Sequence, residues 1–212
     1  MKTILRMTPF FVGAFLVFWA GCDSTSMDDE TFPDPVLTRV QDIPADPITG
    51  FDPVTGQPLA AGIFTFYSLR ENRIVAREDS ASAMWDLAFK GTTILTNGGA
   101  SGPGQGGALV MEGIFEEIIE APATGYTQDA VDSPAILGGS GNGWYNYNPQ
   151  AMLLSPIPGR VLVIRAADGT YAKVRILSYY KGAPETPDVA TDEARYYTFE
   201  FLHQPDGSRV LE

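Results

Sequence analysis

The chain has 212 residues, of which 44% are hydrophobic, so it can bury a core and is not globally disordered. Glycine and proline are frequent, with 22 and 16 residues, which favours turns and short strands over long helices. The net charge of −12 excludes the basic surface that nucleic-acid binding needs. The single cysteine and single histidine exclude an internal disulfide, a cysteine-cluster metal site and any two-histidine ligand set.

The first 21 residues have the pattern of a secretory signal peptide. Lys2 and Arg6 precede an uncharged apolar run, Phe10 to Ala20, which is shorter than the roughly 20 residues needed to span a bilayer. The run leads into Ala-Gly before Cys22, which resembles a bacterial lipobox, and Cys22 is the only cysteine. We predict that Cys22 is lipidated and becomes the mature N-terminus. A plain signal peptide followed by an unrelated cysteine is the alternative.

Residues 22–60 are predicted to form an acidic, proline-rich tether. Cleavage before Cys22 removes two basic residues and no acidic one, so the mature chain carries a net charge of −14. An acidic chain is tethered by its lipid and not by a polybasic patch. The acidic stretch after Cys22 resembles the surface-export signal of Bacteroidetes-type lipoproteins, and an ordinary acidic tether is the alternative. Asp46–Gly50 and Asp52–Gly56 repeat a turn signal and lack the ligand pattern of an EF-hand.

Residues 61–212 have the pattern of a β domain. Runs rich in β-branched and aromatic residues alternate with polar turns and predict strands in GIFTFYSL, NRIVAR, AMWDLAF, TTILT and GALVME, in chain order. We expect Met84, Trp85 and Met111, which lie in these runs, to fill the core. The next run, GIFEEIIEAP, fits either a strand edge or one helical turn.

Residues 122–160 are rich in turns and long for a connection within a compact domain, which is typical of functional or mobile loops. Tyr145 and Tyr147 lie there beside several glycines, and Met152 follows them. Aromatic residues in such a loop favour ligand contact. A loop that packs its own aromatic side chains is the alternative.

The C-terminal third gives the clearest pattern. VLVIRAA and TYAKVRILSYY flank Asp168-Gly169, which predicts a β-hairpin. In the last strand Tyr197, Phe199 and Phe201 share one face, and His203 continues it. The predicted fold class is therefore all-β, mainly antiparallel sheet, after an irregular N-terminal tether.

The sequence predicts no enzyme. The glycine-rich stretch 97–107 lacks the Lys-Ser/Thr of a phosphate-binding loop, and no convincing helix follows it. Near Ser140 the pattern of a nucleophile elbow fails, because Asn142 occupies the position of its final glycine. His203 is the one histidine that could act as a base.

Several segments together resemble the HmuY family. They are Phe64–Ser68, Met84–Phe89, Thr96–Gly107, Asp168–Val174 and Tyr197–Phe201. Their order and spacing fit across about residues 62–205, nearly the whole predicted β domain. The resemblance implies an all-β, haem-binding lipoprotein, anchored by lipid in the outer membrane and facing the cell exterior. It also implies delivery of the haem to a TonB-dependent receptor.

The haem ligands that the resemblance implies are only partly present. The best-known member type holds the iron between two histidines and related members use two methionines, but this chain has one histidine. Met152 is the first candidate for axial ligand, and a phenolate is the other ligand type available. The candidate tyrosines are Tyr145, Tyr147, Tyr179 and Tyr180.

A local group of cations is the candidate for binding the haem propionates. It comprises Arg160, Arg165, Lys173, Arg175 and Lys181, among which Arg165, Lys173 and Arg175 are the candidates of choice. The solvated face of the predicted hairpin is the alternative explanation for these charges. Because the histidine pair is missing, the alternative function is a surface interaction domain of the same fold without haem.

Overall fold

The computed structural model describes residues 32 and 34–212, so the predicted signal peptide, Cys22 and the acidic stretch after it lie outside the described residues. Within the described part the chain is built from strands, two single turns of 3-10 helix at Arg77–Asp79 and Phe115–Glu117, and no α-helix. It holds no helix of the length and hydropathy needed to cross a membrane. The all-β prediction is confirmed.

The strands form one large sheet, one smaller sheet and two separate hairpins. In chain order the strands are β1 (Thr38–Pro44), β2 (Gly50–Phe51), β3 (Pro58–Leu59), β4 (Thr65–Ser68), β5 (Arg73–Val75), β6 (Leu87–Lys90), β7 (Thr93–Thr96), β8 (Gly107–Glu112), β9 (Tyr145–Asn148), β10 (Leu153–Pro156), β11 (Arg160–Arg165), β12 (Tyr171–Tyr180) and β13 (Ala194–Gln204). The large sheet has the order β1-β13-β12-β11-β8 and the smaller one β5-β4-β6-β7. β2–β3 and β9–β10 are the hairpins, and all pairings are antiparallel.

The predicted Asp-Gly hairpin joins β11 to β12. Gly169 has a φ of 88°, a left-handed conformation that glycine adopts without strain, and Asp168 Oδ1 accepts a hydrogen bond from the Thr170 amide at 3.0 Å. On β12, Ala172, Val174 and Ile176 are buried, as their alternation predicts. Local turn chemistry and a period of two therefore fix the register of this hairpin.

The main core is aromatic and lies between the two sheets. Tyr197, Phe199 and Phe201 on β13 are buried, and they meet Tyr67 and Phe89 of the smaller sheet. Ring centroids are 5.5 Å apart for Tyr67 and Phe199 and 4.8 Å apart for Phe89 and Tyr197. Aromatic pairs at these distances contribute packing energy beyond their buried area.

A second core covers the other face of the large sheet. Phe115, in the second 3-10 turn, packs there with Val161, Val163 and Leu202. Lys173 reaches from β12 into this layer, where its Nζ donates hydrogen bonds to the carbonyls of Phe115 at 2.9 Å and Ile118 at 3.0 Å. The large sheet is therefore covered on both faces, so a cation of β12 can be structural.

Asp86 ties the smaller sheet to the hairpin of the large one. Its carboxylate accepts hydrogen bonds from the amides of Leu69 at 2.8 Å and Ala167 at 3.0 Å. Burial raises the pKa of Asp86, against the effect of these hydrogen bonds. The Trp-Asp motif is therefore part of the framework of the fold.

The glycine-rich loop is shaped by close packing around Asn97. The Asn97 side chain donates to the carbonyls of Ser82 at 2.9 Å and Trp85 at 2.8 Å, and it accepts from the Gly104 amide at 3.0 Å. A Cβ on Gly102 would stand 2.1 Å from Asn97 Oδ1, which no real side chain tolerates. Close contact with the side chain and backbone of Asn97 accounts for Gly102, Gly104 and Gly106 without any phosphate ligand.

The predicted tether extends too far along the chain. Residues 38–44 form β1, which pairs with β13 at the edge of the large sheet, and Val40 and Ile43 join the main core. A register shift between Val40 and Ile43, with a φ of 58° at Asp42, breaks the alternation that identifies a strand. The boundary at residue 60 is therefore wrong for this part.

Three further expectations, for Met84, Met111 and the run GIFEEIIEAP, have different outcomes. Met84 does not fill the core: it is 44% exposed and lies in the bend before β6, although its neighbour Trp85 is fully buried. Met111 packs beside the second core. The run GIFEEIIEAP, left open between strand edge and helical turn, contains the 3-10 turn at Phe115–Glu117.

Candidate functional site

The candidate site is an apolar cleft of about 380 Å³, called here the Met152 cleft. Three parts of the chain meet there: the β2–β3 hairpin with the residues before it, the β9–β10 hairpin, and the facing ends of β12 and β13. Its lining residues are Pro47, Ile48, Phe51, Pro58, Met152, Leu154, Tyr180, Val189, Asp192, Glu193, Ala194 and Tyr196. A mainly apolar cleft with a few polar groups is typical of a small-molecule site.

Met152 lies in the turn between β9 and β10. Its φ of 54° is unusual for a residue with a side chain, and its side chain is 57% exposed. The turn is held by Asn148, whose Oδ1 accepts hydrogen bonds from the amides of Gln150 at 3.0 Å and Ala151 at 3.2 Å. The structure thus presents a thioether, a soft ligand, on the wall of an apolar cleft.

Tyr180 forms a buried part of the cleft wall. Its hydroxyl accepts a hydrogen bond from the Leu154 amide at 3.0 Å. Burial raises the pKa of Tyr180, an effect that this hydrogen bond opposes and the charge of Asp192 reinforces. At neutral pH the group facing the cleft is therefore a neutral phenol.

The charged residues of the cleft lie where the 182–192 loop joins the strands. Lys181 Nζ is 2.8 Å from Glu193 Oε1 and 5.1 Å from the centroid of the Tyr196 ring. Asp192 Oδ2 accepts a hydrogen bond from the Asp188 amide at 2.8 Å. The cleft thus has two carboxylates in its lining, Asp192 and Glu193, and an ammonium group beside Tyr196 that pairs with Glu193.

The other candidate tyrosines lie in different surroundings. Tyr147 is 43% exposed on β9 and pairs with Leu154 of β10, so it is next to the cleft. Tyr145 and Tyr179 are buried in the main core around Trp144, and burial raises the pKa of Tyr179. Neither of these two residues lines the Met152 cleft, because both rings pack against Trp144 in the core.

The three cations proposed for the propionates are not brought to the cleft. Arg165 Nε donates to the Gln105 carbonyl at 2.7 Å, and Lys173 is buried in the second core. Arg175 pairs with Glu200 at 2.7 Å and with Glu116 at 2.8 Å. Because each cation has partners elsewhere in the fold, we do not assign a propionate role to Arg165, Lys173 or Arg175.

Comparison with known proteins decides the family. The profile described as "HmuY protein" matches residues 63–201, about two thirds of the chain. The chain belongs to the HmuY family. The family resemblance seen in the sequence is therefore confirmed, and the matched residues include β4 to β12 and most of β13.

Several solved structures are similar to this HmuY-family chain. An apo HmuY analog of Tannerella forsythia is 18% identical, with 84% of this chain and 100% of that chain covered and a TM-score of 0.46. A Bacteroides vulgatus protein, provisionally named an HmuY-like heme binding protein, is 18% identical with coverages of 73% and 96% and a TM-score of 0.44. A Bacteroides fragilis protein provisionally named a lipoprotein has 18% identity, coverages of 78% and 86%, and a TM-score of 0.44. The search of curated proteins finds no match.

The single histidine of this HmuY-family member lies away from the Met152 cleft. His203 is buried at the end of β13, with its Nε2 2.8 Å from Thr170 Oγ1. Since the Thr170 hydroxyl donates to Asp168 Oδ1 at 2.6 Å, it must accept its hydrogen bond from His203. Burial and the charge of Arg70 lower the pKa of His203 to about 4, against the effect of Asp168. His203 is a neutral structural residue.

Much of the cleft wall was missed in the sequence. Ile48, Phe51 and Pro58 lie in the segment predicted to be a tether, and Asp192 lies more than 130 residues further along the chain. The signal in the sequence was the pair of Asp-Pro-x-Thr-Gly turns. In the second of these, Asp52 Oδ1 accepts hydrogen bonds from the amides of Val54 and Thr55. Such ordered turns hold the hairpin that carries Phe51 and Pro58.

Proposed function

We propose that this HmuY-family chain is a cell-surface lipoprotein that binds haem in the Met152 cleft and delivers it to an outer-membrane receptor. The observation that carries the proposal is the exposed thioether of Met152 on the wall of an apolar cleft of about 380 Å³. Haem is flat and mainly apolar, and its iron takes axial ligands of this kind. The name of the Bacteroides vulgatus relative supports the same ligand.

The residues that line the cleft suit the apolar ring of haem, but they do not supply an obvious pair of axial ligands for its iron. The cleft offers the rings of Phe51 and Tyr196 and the aliphatic side chains of Ile48, Leu154 and Val189. Met152 is the residue we assign to the iron. Tyr180 already accepts a hydrogen bond through its hydroxyl, so we assign it to the wall. A single thioether binds reduced iron better than oxidised iron, because sulfur is a soft ligand.

The first test is haem titration of the mature protein, followed at the Soret band. We expect binding that is tighter after reduction by dithionite. Met152→Leu should weaken binding by roughly tenfold or more and remove the preference for reduced iron, since leucine keeps the volume but not the sulfur. Met84→Leu is the matched control, because Met84 is also exposed but does not line the cleft.

The same titration separates the remaining ligand candidates. If Tyr147→Phe, and not Met152→Leu, weakens binding of ferric haem, the axial ligand is the Tyr147 phenolate. Loss of binding only in His203→Ala would contradict the assignment to the cleft, because His203 bonds to Thr170 elsewhere. These outcomes need both redox states, since a phenolate favours ferric iron and a thioether favours ferrous iron.

The second candidate function is a surface interaction domain that binds no haem. It is favoured by the incomplete ligand set: the chain has one histidine, buried against Thr170, and one methionine on the cleft wall. The absence of any Soret change in the unmutated protein, in either redox state, would establish this second candidate. The HmuY family comprises binding proteins, and we propose no catalytic role for either candidate.

Membrane anchoring is tested independently of haem. Cys22→Ser should release the protein from the membrane fraction, because the acyl chains would have no attachment site and no polybasic segment replaces them. Fractionation of cells that express each form, with detection by immunoblot, gives the comparison. If the same proportion of the mutant as of the wild type stays in the membrane fraction, the prediction that Cys22 carries the lipid anchor is wrong. Digestion of intact cells by added protease tests exposure at the outer surface.

A further inference from the structure

The charges around the Met152 cleft are unevenly distributed. The only charged residues in its lining are Asp192 and Glu193, both acidic. Glu193 is neutralised by Lys181 at 2.8 Å, whereas Asp192 has no cation within 4 Å in the described part of the chain. Asp192 is also close enough to Tyr180 to contribute to the raised pKa of that phenol. The Tyr180 side of the cleft is therefore the negative side.

Lys181 supplies a cation next to a different wall residue. Its Nζ stands 5.1 Å from the centroid of Tyr196, a lining residue, and its side chain is about half exposed. The backbone of the loop is held separately, by the Lys181 amide donating to the Glu193 carbonyl at 2.9 Å. The Lys181 ammonium group has three donors, so it can bind a ligand carboxylate alongside that of Glu193 without opening the strands, and an exposed ion pair of this kind leaves the side chain free to adjust.

We propose that Lys181 and Asp192 set the orientation of an anionic ligand in the Met152 cleft, with its carboxylates beside Lys181 and Tyr196 and away from Asp192. The inference rests on the proposed haem function. It gives the propionate contact to Lys181 in place of Arg165, Lys173 and Arg175. It also makes Asp192 a specificity residue, because a carboxylate placed next to it would meet an unpaired like charge near a buried wall.

The test compares haem with its dimethyl ester, which has the same ring and iron but no carboxylates. Lys181→Met should weaken binding of haem by about two- to fivefold, the range for an exposed ion pair, and Lys181→Arg should restore it. Asp192→Asn should tighten binding of haem by a similar factor. The ester should bind all these variants equally, and the differences for haem should shrink in high salt. Arg73→Gln, at an exposed arginine on β5, is the control for a general loss of positive charge.

The outcomes distinguish this inference from the function on which it rests. Failure of the unmutated protein to bind either ligand refutes the haem function and the orientation with it. Binding of haem that responds to Met152→Leu but not to Lys181→Met or Asp192→Asn overturns the orientation alone. The same holds if the ester is affected as much as haem, because the two residues would then act on the shape of the cleft. Thermal unfolding of each variant verifies that it is folded.

Discussion

Trp85→Ala is expected to lower the free energy of unfolding by about 3–5 kcal/mol, the usual cost of removing a large buried aromatic side chain. Trp85 is fully buried, its ring centroid is 5.0 Å from that of Phe66, and its Nε1 donates to the Ser80 carbonyl at 2.9 Å. The substitution removes the packing, leaves a cavity and leaves the Ser80 carbonyl without this donor.

Met84 provides the matched control for Trp85. It is the preceding residue, it is also large, and it is 44% exposed, so Met84→Ala should change stability by no more than about 0.5 kcal/mol. Unfolding in urea, followed by circular dichroism, gives both values. Equal effects of the two substitutions would contradict the placement of these residues on opposite sides of the core boundary.

The fold could be predicted where local pattern and burial agree. β11 and β12 are joined by an Asp-Gly turn, and Tyr197, Phe199 and Phe201 of β13 alternate with polar residues, so turn chemistry and a period of two were enough. β1 was missed because its register shift between Val40 and Ile43 interrupts the alternation. Its pairing with β13 joins residues about 160 positions apart, which no local pattern shows.

The candidate site was harder to predict than the fold. Met152 was identified because it follows a turn-rich loop, a local feature. Tyr145 and Tyr179 were assigned to the ligand because of their residue type, but they pack against Trp144 in the core. The acidic Asp192 and the basic Lys181 gain their role only from the surroundings created when distant segments meet at the Met152 cleft.

The motifs that carry the family resemblance stabilise the fold and lie away from the Met152 cleft. Asp86 joins the two sheets, and Asn97 organises the glycine-rich loop. A chain can keep these residues while its ligand-binding side chains change. This is why membership in the HmuY family establishes the architecture of this protein, whereas haem binding needs the titrations of the Met152 cleft.

The stability of the protein should fall between about pH 6.5 and pH 4 because of His203. In the folded state its pKa is lowered to about 4, mainly by burial, from the ordinary value of 6.5. In this window the unfolded chain binds a proton at His203 and the folded chain does not, so acid favours unfolding. At 1.36 kcal/mol per pH unit, lowering the pH from 7.5 to 4.5 should remove about 2–3 kcal/mol through this residue alone.

Other groups titrate in the same pH range as His203. The contribution of His203 must therefore be measured as a difference between the wild type and a variant that lacks the imidazole. Burial raises the pKa of Asp86, which makes the folded state take up a proton earlier and opposes the loss caused by His203. His203→Gln keeps a side-chain amide that can donate to Thr170 Oγ1 but has no group that titrates. Urea unfolding of both proteins at pH 7.5 and pH 4.5 should show the wild type losing about 2–3 kcal/mol more than the variant. A loss of equal size in the two proteins would mean that His203 titrates normally and is not held neutral by its burial against Thr170.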